Sequence, residues 1–281
     1  MRPQPYRWPR GHKGAVVVSI DIDGPTAGLW ASRACHEPRV ADLEQRRFGP
    51  RQGIWRLLDM LSRLELEASC YIPGAIAAAH PDIVEAVMAG GHEVALHGYL
   101  HERVDELPDD QLLGVLERSA AALESAGAGG PFGYRSPSWE MTEAAFAALE
   151  EFGVRYDSSL MGYDRPYLIG GLVEVPVHWS LDDAVFYRYV VGSMWPPVSP
   201  HLVMESWSGE IEACVNHNSL VMITVHPWMS GRAGRLDALE AMLRRHRADE
   251  AIWWTTSSAV AAHHLCLPDS GPVEMLRPGE I

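Results

Sequence analysis

Cysteine is scarce in this sequence of 281 residues, and the positions of its cysteines form no recognisable spacing. The four are Cys35, Cys70, Cys214 and Cys266, so no CxxC pair or disulfide framework occurs. Cys70 lies in an apolar run that predicts a strand, and we expect a buried free thiol there. Free thiols are typical of proteins in a reducing compartment.

Basic residues are also few relative to acidic ones. The chain has 23 lysines and arginines against 37 acidic residues, a formal net charge of −14, and it has no basic stripe that would suit a nucleic-acid backbone. Its basic N-terminus, MRPQPYRWPRGHKG, lacks the apolar segment of a secretory signal. The apolar runs are shorter than the roughly 20 residues that a membrane helix needs. These absences predict a cytoplasmic protein without a nucleic-acid or membrane partner.

Apolar runs typical of strands alternate with segments of helical spacing along most of the chain. The predicted strands are 15–20, 67–72, 93–96, 132–135, 154–156, 172–177, 220–225 and 252–256. The predicted helices are 54–64, 81–89, 108–123, 142–152, 205–217, 236–246 and 257–264. Residues 21–52 read as a long polar loop, which is unusual unless the loop is functional.

This alternation predicts the α/β class, with a mainly parallel sheet covered by helices on both faces. Seven or eight such units favour a closed or nearly closed (β/α) barrel. An open doubly wound sheet is the alternative, but its GxGxxG fingerprint after the first strand is absent. Since no linker or internal repeat occurs, we expect one catalytic domain over 1–281, with the motifs between about 15 and 262.

Polar and ionisable side chains occur where five of the predicted strands end. Active groups of (β/α) barrels lie just past the carboxyl ends of the strands, so these side chains are expected to share one site. The candidates are Asp21, Asp23, His97, His101, Arg135, Asp182, Asp183 and His226.

Two of the imidazoles are four positions apart, with His97 and His101 separated by a turn that contains Gly98. Together with a carboxylate from elsewhere, such a pair is typical of a catalytic metal site with an open position for water. Asp21 and Asp23 point the same way if they continue the strand, and burying both without a cation is costly. One could bind metal while the other acts as a base. Nitrogen and oxygen ligands suit Zn²⁺ and also admit Co²⁺ or Ni²⁺.

Each candidate also has a purely structural interpretation. With 13 histidines in the chain, a close pair can arise by accident. The Asp-Gly sequence after the first strand favours a turn. Arg135 could form a surface ion pair, Asp182 and Asp183 could cap a helix, and His226 could be a hydrogen-bonded core histidine.

The ordered motifs resemble those of the polysaccharide deacetylase family, the NodB-homology or carbohydrate esterase family 4 group. They are SIDIDG (19–24), HGYLH (97–101), RSPSW (135–139), YDSSLM, HWSLDD and TVHPWMSGR. SIDIDG corresponds to the TFDDG motif with one residue inserted between the acids. That form occurs in a subgroup with bacterial peptidoglycan N-deacetylases, cyclic imide hydrolases and allantoinases. RSPSW has Ser138 where an aromatic residue is usual, which implies a different pocket wall.

The resemblance implies a distorted (β/α) barrel and usually zinc. By position it makes Asp23, His97 and His101 the metal ligands, Asp21 the general base, Arg135 the residue that orients this base and His226 the general acid. It also implies that Asp182 or Asp183 supports the site, and that a backbone N–H near Ser138 stabilises the oxyanion.

The resemblance therefore implies a metal-dependent hydrolase that removes acetyl from an N-acetylated sugar. One alternative is an amidohydrolase that opens a cyclic imide or ureide such as allantoin. Another is a non-catalytic binding protein on the same fold, against which Asp21 and His226 argue, because binding alone needs neither base nor acid. The 21–52 segment, with Trp30, is placed to cover the barrel mouth, which favours small substrates. Relatives in this subgroup often form homo-oligomers.

Overall fold

The computed structural model describes residues 5–34, 39–190, 193–268 and 272–273. Its strands are β1 (Gly14–Asp21), β2 (Ala68–Ile72), β3 (Glu93–Leu96), β4 (Tyr167–Ile169), β5 (Leu172–Glu174), β6 (Leu220–Val225), β7 (Ile252–Thr255) and β8 (Pro272–Val273). Its α-helices are α1 (Thr26–Ala31), α2 (Val40–Phe48), α3 (Ile54–Leu64), α4 (Gly74–Ala79), α5 (Pro81–Ala89), α6 (Leu112–Ser125), α7 (Glu143–Phe152), α8 (Asp183–Tyr187), α9 (Pro200–His217), α10 (Pro227–Ser230), α11 (Ala233–His246) and α12 (Ser257–Leu265).

The sheet is built around β1, whose eight residues GAVVVSID are all buried. This strand pairs in parallel with β2, β6 and β7, and β2 pairs in parallel with β3. Strands buried on both faces read as continuous apolar runs, which explains why the sequence predicted them well. Helices pack against this parallel sheet, so the structure belongs to the predicted α/β class.

The sheet curves onward through single β-bridges rather than regular strands. Leu96 bridges to Tyr134, Tyr134 to Asp157 and Asp157 to Glu174, and on the other side Asp182 bridges to Thr224. The result is a distorted (β/α) barrel.

The predicted strands 132–135 and 154–156 are wrong as regular strands, since each is reduced to a bridge or its flank. Serine hydroxyls at this place take backbone groups as partners. The Ser158 hydroxyl donates to the carbonyl oxygen of Val175 (2.7 Å), and the hydroxyl of Ser159 accepts from the N–H of Ser136 (2.8 Å). Side chains that bond to the backbone in this way compete with ladder hydrogen bonds.

The segment 21–52 is not the polar loop that the sequence predicted, because much of it is helical. It contains α1, α2 and the beginning of a short π-helical turn at Gly49–Gly53, while residues 35–38, including Cys35, lie outside the described part. Gly53 lies so close to the carbonyl oxygen of Pro227 that a Cβ would approach it to 2.0 Å. This contact fixes the segment against the end of β6.

No helix in the described ranges has the length and apolar character required to cross a bilayer. Cys70 and Cys214 are buried free thiols, as expected for Cys70, and Cys266 is exposed.

Candidate active site

The carboxyl ends of β1, β3 and β6 open into a cavity with a volume of about 410 Å³. Six of the sequence-predicted residues line it, namely Asp21, Asp23, His97, His101, Asp182 and His226. Arg135 and Asp183 lie behind this wall and are fully buried. A larger groove of about 860 Å³ between α9 and α11 contains none of the predicted residues. The sequence-predicted groups therefore converge on one site.

Asp23 and the two histidines of HGYLH form a cluster that could hold a metal ion, with ligand atoms within 4.8 Å of one another. The Nε2 atom of His97 lies 3.3 Å from Asp23 Oδ1, and that of His101 lies 3.5 Å from Asp23 Oδ2. Asp23 Oδ1 is buried and has no hydrogen-bond partner among the described groups. A buried carboxylate oxygen without a partner is costly, so the cluster fits a cation held by one oxygen and two nitrogens.

The position of His97 is fixed by the backbone of a neighbouring strand end. Its Nδ1–H donates to the carbonyl oxygen of Arg135 (2.8 Å), which leaves Nε2 to face Asp23. A second hydrogen bond of this kind commonly orients imidazoles that ligate metals.

Glu102, which sequence reasoning missed, holds the turn between the two histidines. Its carboxylate accepts from the backbone N–H groups of Tyr99 and Leu100, both at 2.8 Å. The turn needs positive φ values at Gly98 (+66°) and His101 (+61°), and the second is uncommon for a residue with a side chain. The direct succession of Glu102 after HGYLH was the only sequence signal for this role.

The electrostatics of this cluster favour an ionised carboxylate. Burial raises the pKa of Asp23, but the nearby His101, His97 and His226 outweigh burial and hold this pKa well below its usual range. Burial lowers the pKa of His101 to about 4, which favours the neutral imidazole that a metal requires. For His97, burial lowers the pKa, but the adjacent carboxylates of Asp23 and Asp21 outweigh burial and raise it.

Asp21 is paired with a buried arginine. The Arg135 Nη1–H donates to Asp21 Oδ1 (2.7 Å) and to the hydroxyl of Ser19 (2.9 Å), while Nε–H donates to the carbonyl oxygen of Ser158 (3.0 Å). The guanidinium also stacks on the ring of Tyr71 at 3.9 Å. Burial disfavours its charged form, but Asp21 outweighs burial and raises the pKa of Arg135. The other oxygen of Asp21, Oδ2, lies 4.0 Å from His97 Nε2 and faces the cluster.

His226 forms a tightly bonded pair with Asp183. Its Nδ1–H donates to Asp183 Oδ1 (2.7 Å) and its backbone N–H to Asp183 Oδ2 (2.9 Å), which also accepts from the hydroxyl of Ser230. Burial lowers the pKa of His226, but the charge and hydrogen bond of Asp183 outweigh it and raise the value to about 10. The Nε2 atom points into the cavity, 3.6 Å from Asp23 Oδ2.

The structure distinguishes the roles of the two adjacent acids, Asp182 and Asp183, which the sequence left open. Asp182 lies farther from His226 Nδ1 (3.6 Å) than Asp183 does, and it caps α8 by accepting from the N–H of Ala184 (2.9 Å). Burial raises the pKa of Asp182 to about 7. Asp183 is thus the direct partner of His226, whereas Asp182 combines the predicted capping role with a place on the cavity wall.

The wall of the cavity comes from aromatic and arginine side chains. Trp139 and Trp179 stack with ring centroids 4.3 Å apart. Ser138, at the position where the family usually has an aromatic residue, lines the cavity with φ +60°. The predicted covering segment contributes Ala27, Trp30, Ala31, Arg33 and Arg46. The arginines of the wall were missed, since isolated arginines carry no motif.

Comparisons with known proteins identify the family of this chain. The polysaccharide deacetylase family model matches residues 48–156. A peptidoglycan deacetylase of Helicobacter pylori is 27% identical over 278 residues, covering 88% of this chain and 94% of the relative.

The similarity to solved structures extends over nearly the whole chain. The Puue allantoinase structure superposes with a TM-score of 0.83 and covers 95% of each chain, but at 19% identity it shows only the shared fold. A Mycobacterium smegmatis protein assigned to the polysaccharide deacetylases superposes with a TM-score of 0.93 at 33% identity, covering 99% of each chain. This chain therefore belongs to the polysaccharide deacetylase family, whose chemistry is the hydrolysis of carbon–nitrogen bonds.

Proposed function

We propose that this protein is a divalent-cation-dependent hydrolase that removes the acetyl group from an N-acetylated sugar. The observation that carries the proposal is the convergence of three kinds of group on one cavity. These are the Asp23 cluster with its unpartnered buried oxygen, the Arg135-bound carboxylate of Asp21 and the Asp183-bound imidazole of His226.

Asp23, His97 and His101 would hold the cation, and two nitrogens with one oxygen suit Zn²⁺, Co²⁺ or Ni²⁺. When bound, such an ion supplies Lewis-acid polarisation of a carbonyl oxygen and lowers the pKa of water. The hydrogen bond from His97 Nδ1 to the carbonyl oxygen of Arg135 supports the proposal, because it leaves the Nε2 lone pair free to bind.

Asp21 is proposed as the general base. Arg135 occupies Oδ1, so the other oxygen remains to accept a proton from the attacking water. General-base catalysis of this kind contributes typically about 10²- to 10⁴-fold.

His226 is proposed as the general acid. An amide nitrogen leaves poorly unless it is protonated, and the pair with Asp183 favours the protonated ring. With Nδ1 bonded to Asp183, the proton for the leaving nitrogen comes from Nε2, which faces the cavity.

The walls of the cavity favour a small sugar. The volume of about 410 Å³ is within the range of small-molecule sites, roughly 300–1,000 Å³. Helix α1 and Arg46 of α2 close one side, and the stacked Trp139 and Trp179 offer an aromatic surface for the apolar face of a sugar ring. A long polymer would need an open groove instead.

Ring opening of a cyclic imide or ureide is a second candidate, favoured by the same limited volume. Its chemical steps would use Asp21 and His226 in the same way, since an amide bond breaks in both reactions. The two candidates differ in the product, because ring opening releases no acetate.

The test is a substrate panel with zinc-loaded protein. It comprises monomeric and oligomeric N-acetylglucosamine, soluble peptidoglycan fragments, insoluble chitin, succinimide, a hydantoin and allantoin. We expect acetate release from the small sugars, faster than from insoluble chitin, and abolished in the double variant Asp21→Asn/His226→Ala. Ring opening without acetate release would establish the second candidate, and fast deacetylation of insoluble chitin would overturn the small-substrate preference.

A further inference from the structure

Four arginines line the catalytic cavity, and three of them are neutralised by an adjacent carboxylate. The pairs are Arg33 with Glu106 (2.7 Å), Arg46 with Asp42 (3.0 Å) and Arg103 with Asp105 (2.5 Å). The fourth is Arg188, for which the described part of the chain provides neither an ion pair within 4.0 Å nor a side-chain hydrogen bond.

Arg188 is an exposed residue of the cavity lining, so its guanidinium is solvated before a ligand binds. The residue follows the C-terminus of α8, and its backbone N–H donates to the carbonyl oxygen of Ala184 (3.2 Å). Partial burial of the guanidinium and the positive charge of Arg46 lower the pKa of Arg188, while the more distant carboxylates of Asp42, Asp23 and Asp182 act in the opposite direction. A guanidinium that lines a catalytic cavity without an acidic partner has its donors available for a ligand.

The placement of Arg188 also connects it to the acid side of the site. Helix α8 begins at Asp183, the partner of His226, and is five residues long. Because a helix rises about 1.5 Å per residue, the backbone of Arg188 lies within roughly one helix diameter of that pair. It lines the same cavity as Asp182 and His226, so it can contact the part of a substrate next to the leaving nitrogen.

We propose that Arg188 binds a carboxylate of the substrate, so that the preferred substrate is an N-acetylated sugar with a carboxylate close to its acetamido group. This inference rests on the proposed deacetylase function and narrows its substrate class. The planar guanidinium fork matches a carboxylate with two parallel hydrogen bonds.

A carboxylate suits the cavity better than a phosphate. Asp21, Asp23, Asp182 and Glu106 also line it, and a dianion would meet more repulsion from them than a single negative charge. Neutral N-acetylglucosamine would offer Arg188 no charge-assisted hydrogen bonds in place of its water, so we expect it to bind more weakly than a matched acidic sugar.

The experiment compares two substrates of nearly equal size with zinc-loaded full-length protein. N-acetylmuramic acid carries a lactyl carboxylate next to its acetamido group, and its methyl ester lacks only the charge. The variants are Arg188→Gln, Arg188→Lys and, as a control, Arg244→Gln, which removes an exposed arginine on α11 that pairs with Glu240. Acetate release gives kcat and KM for each combination.

We expect the wild type to prefer the acid over the ester by about 10- to 100-fold in kcat/KM, the scale of hydrogen bonds to a charged group. Arg188→Gln should bring this ratio close to one, mainly through KM for the acid. Arg188→Lys should keep part of the preference, and Arg244→Gln should keep all of it. A merely structural role for Arg188 would lower the rates on both substrates equally.

Two outcomes would overturn the inference while leaving the deacetylase intact. One is equal use of acid and ester by the wild type, which would make Arg188 a solvated surface cation. The other is a preference for N-acetylglucosamine 6-phosphate over the muramic acid, lost in Arg188→Gln, which would assign a phosphate instead.

Absence of acetate release from every sugar would instead contradict the proposed function. Calorimetric binding of N-acetylmuramic acid to zinc-loaded wild type and Arg188→Gln then decides the inference separately. Binding that weakens about tenfold or more in the variant supports a carboxylate site, and equal binding or none overturns it.

Discussion

Two clusters at the cavity have similar residue types but differ in their hydrogen bonds. One consists of Asp23, His97 and His101, and the other of Asp182, Asp183 and His226, and in each the ligand atoms lie within 4.8 Å of one another. By residue type and spacing either could hold a metal ion.

Hydrogen bonds separate the two clusters. In the first, Asp23 Oδ1 is buried without a partner, and His97 uses only its outward Nδ1 for the protein. In the second, both oxygens of Asp183 already accept hydrogen bonds, from His226 and Ser230, and the Nδ1 of His226 donates inward. A carboxylate whose two oxygens already accept hydrogen bonds has little to offer a cation, so the same residue types favour a metal site in the first cluster and a proton donor in the second.

Removal of a ligand from the first cluster should have the largest effect. We expect zinc-loaded His97→Ala to lose its bound metal and its activity, because two ligands remain where a catalytic zinc site uses three. Elemental analysis after dialysis measures this. His246→Ala, which removes a buried imidazole bonded to Ser208 on α9, should keep about one metal per chain. Full metal content in His97→Ala would refute the ligand assignment.

Substitutions in the proton-transfer groups should reduce turnover and spare the metal. Asp21→Asn and His226→Ala are each expected to lower kcat by about 10²-fold or more, the usual scale for losing a general base or acid. Stopped assays of acetate release, with metal content measured on the same samples, test both. If Asp21→Asn strips the metal, then Asp21 is a ligand and the division between the two carboxylates is incorrect.

Glu102 offers a finer test of the first cluster. Glu102→Ala removes the acceptor for the N–H groups of Tyr99 and Leu100, so the turn that presents His97 and His101 should loosen. We expect metal affinity to fall about 10- to 100-fold, as for other groups that orient ligands. Glu102→Gln, which keeps a carbonyl oxygen, should lose less. Competition with a chelator measures the affinity, and an unchanged value in Glu102→Ala would contradict this role.

The second cluster predicts a change in pH dependence. Asp183→Asn removes the charge that raises the pKa of His226, so the ring should lose its proton at lower pH. The alkaline limb of the kcat profile is therefore expected to move toward neutral pH. A cation bound to Asp23 would also lower the pKa of this ring, so the direction of the shift in the alkaline limb is what the experiment tests. Asp182→Asn, at the longer distance of 3.6 Å, should shift the limb less, and the reverse order would identify Asp182 as the main partner.

A further buried acid pair does not line the cavity, and its effect should fall on stability rather than activity. Asp157 and Glu174 are fully buried, and burial raises the pKa of both carboxyls. The folded protein thus retains a proton that the unfolded chain releases above about pH 4.5. The stability of the wild type should therefore fall as pH rises from there, because the folded state binds more protons.

Glu174→Gln removes the need for that proton. We expect denaturant unfolding to give the variant a gain of roughly 1 kcal/mol or more over the wild type between pH 5 and pH 7, the scale of one proton over such an interval. A parallel pH dependence in the two proteins would mean that the pair does not retain a proton.

The sequence alone predicted most residues of the candidate site. Strand-end placement and the HxxxH spacing predicted Asp21, Asp23, His97, His101, Arg135 and His226 as members of one site, and the structure brings them together. These predictions succeeded because β1, β3 and β6 are buried strands whose apolar runs locate their own ends. The predicted strands 132–135 and 154–156 do not form as regular strands, because the hydroxyls of Ser158 and Ser159 compete for backbone partners there.

The sequence could not identify Arg188, Glu102 or the choice between Asp182 and Asp183. Each depends on distances between elements or across a turn: the 2.7 Å from His226 to Asp183, the 2.8 Å from Glu102 to two N–H groups, and the lack of an ion pair within 4.0 Å of Arg188 among the described residues. Periodicity determines which residues lie at the end of a strand, because side-chain burial follows the backbone repeat. Which acceptors remain unsatisfied once the chain has closed on itself is a property of tertiary packing, and that property distinguishes the proposed cation site from the proposed acid.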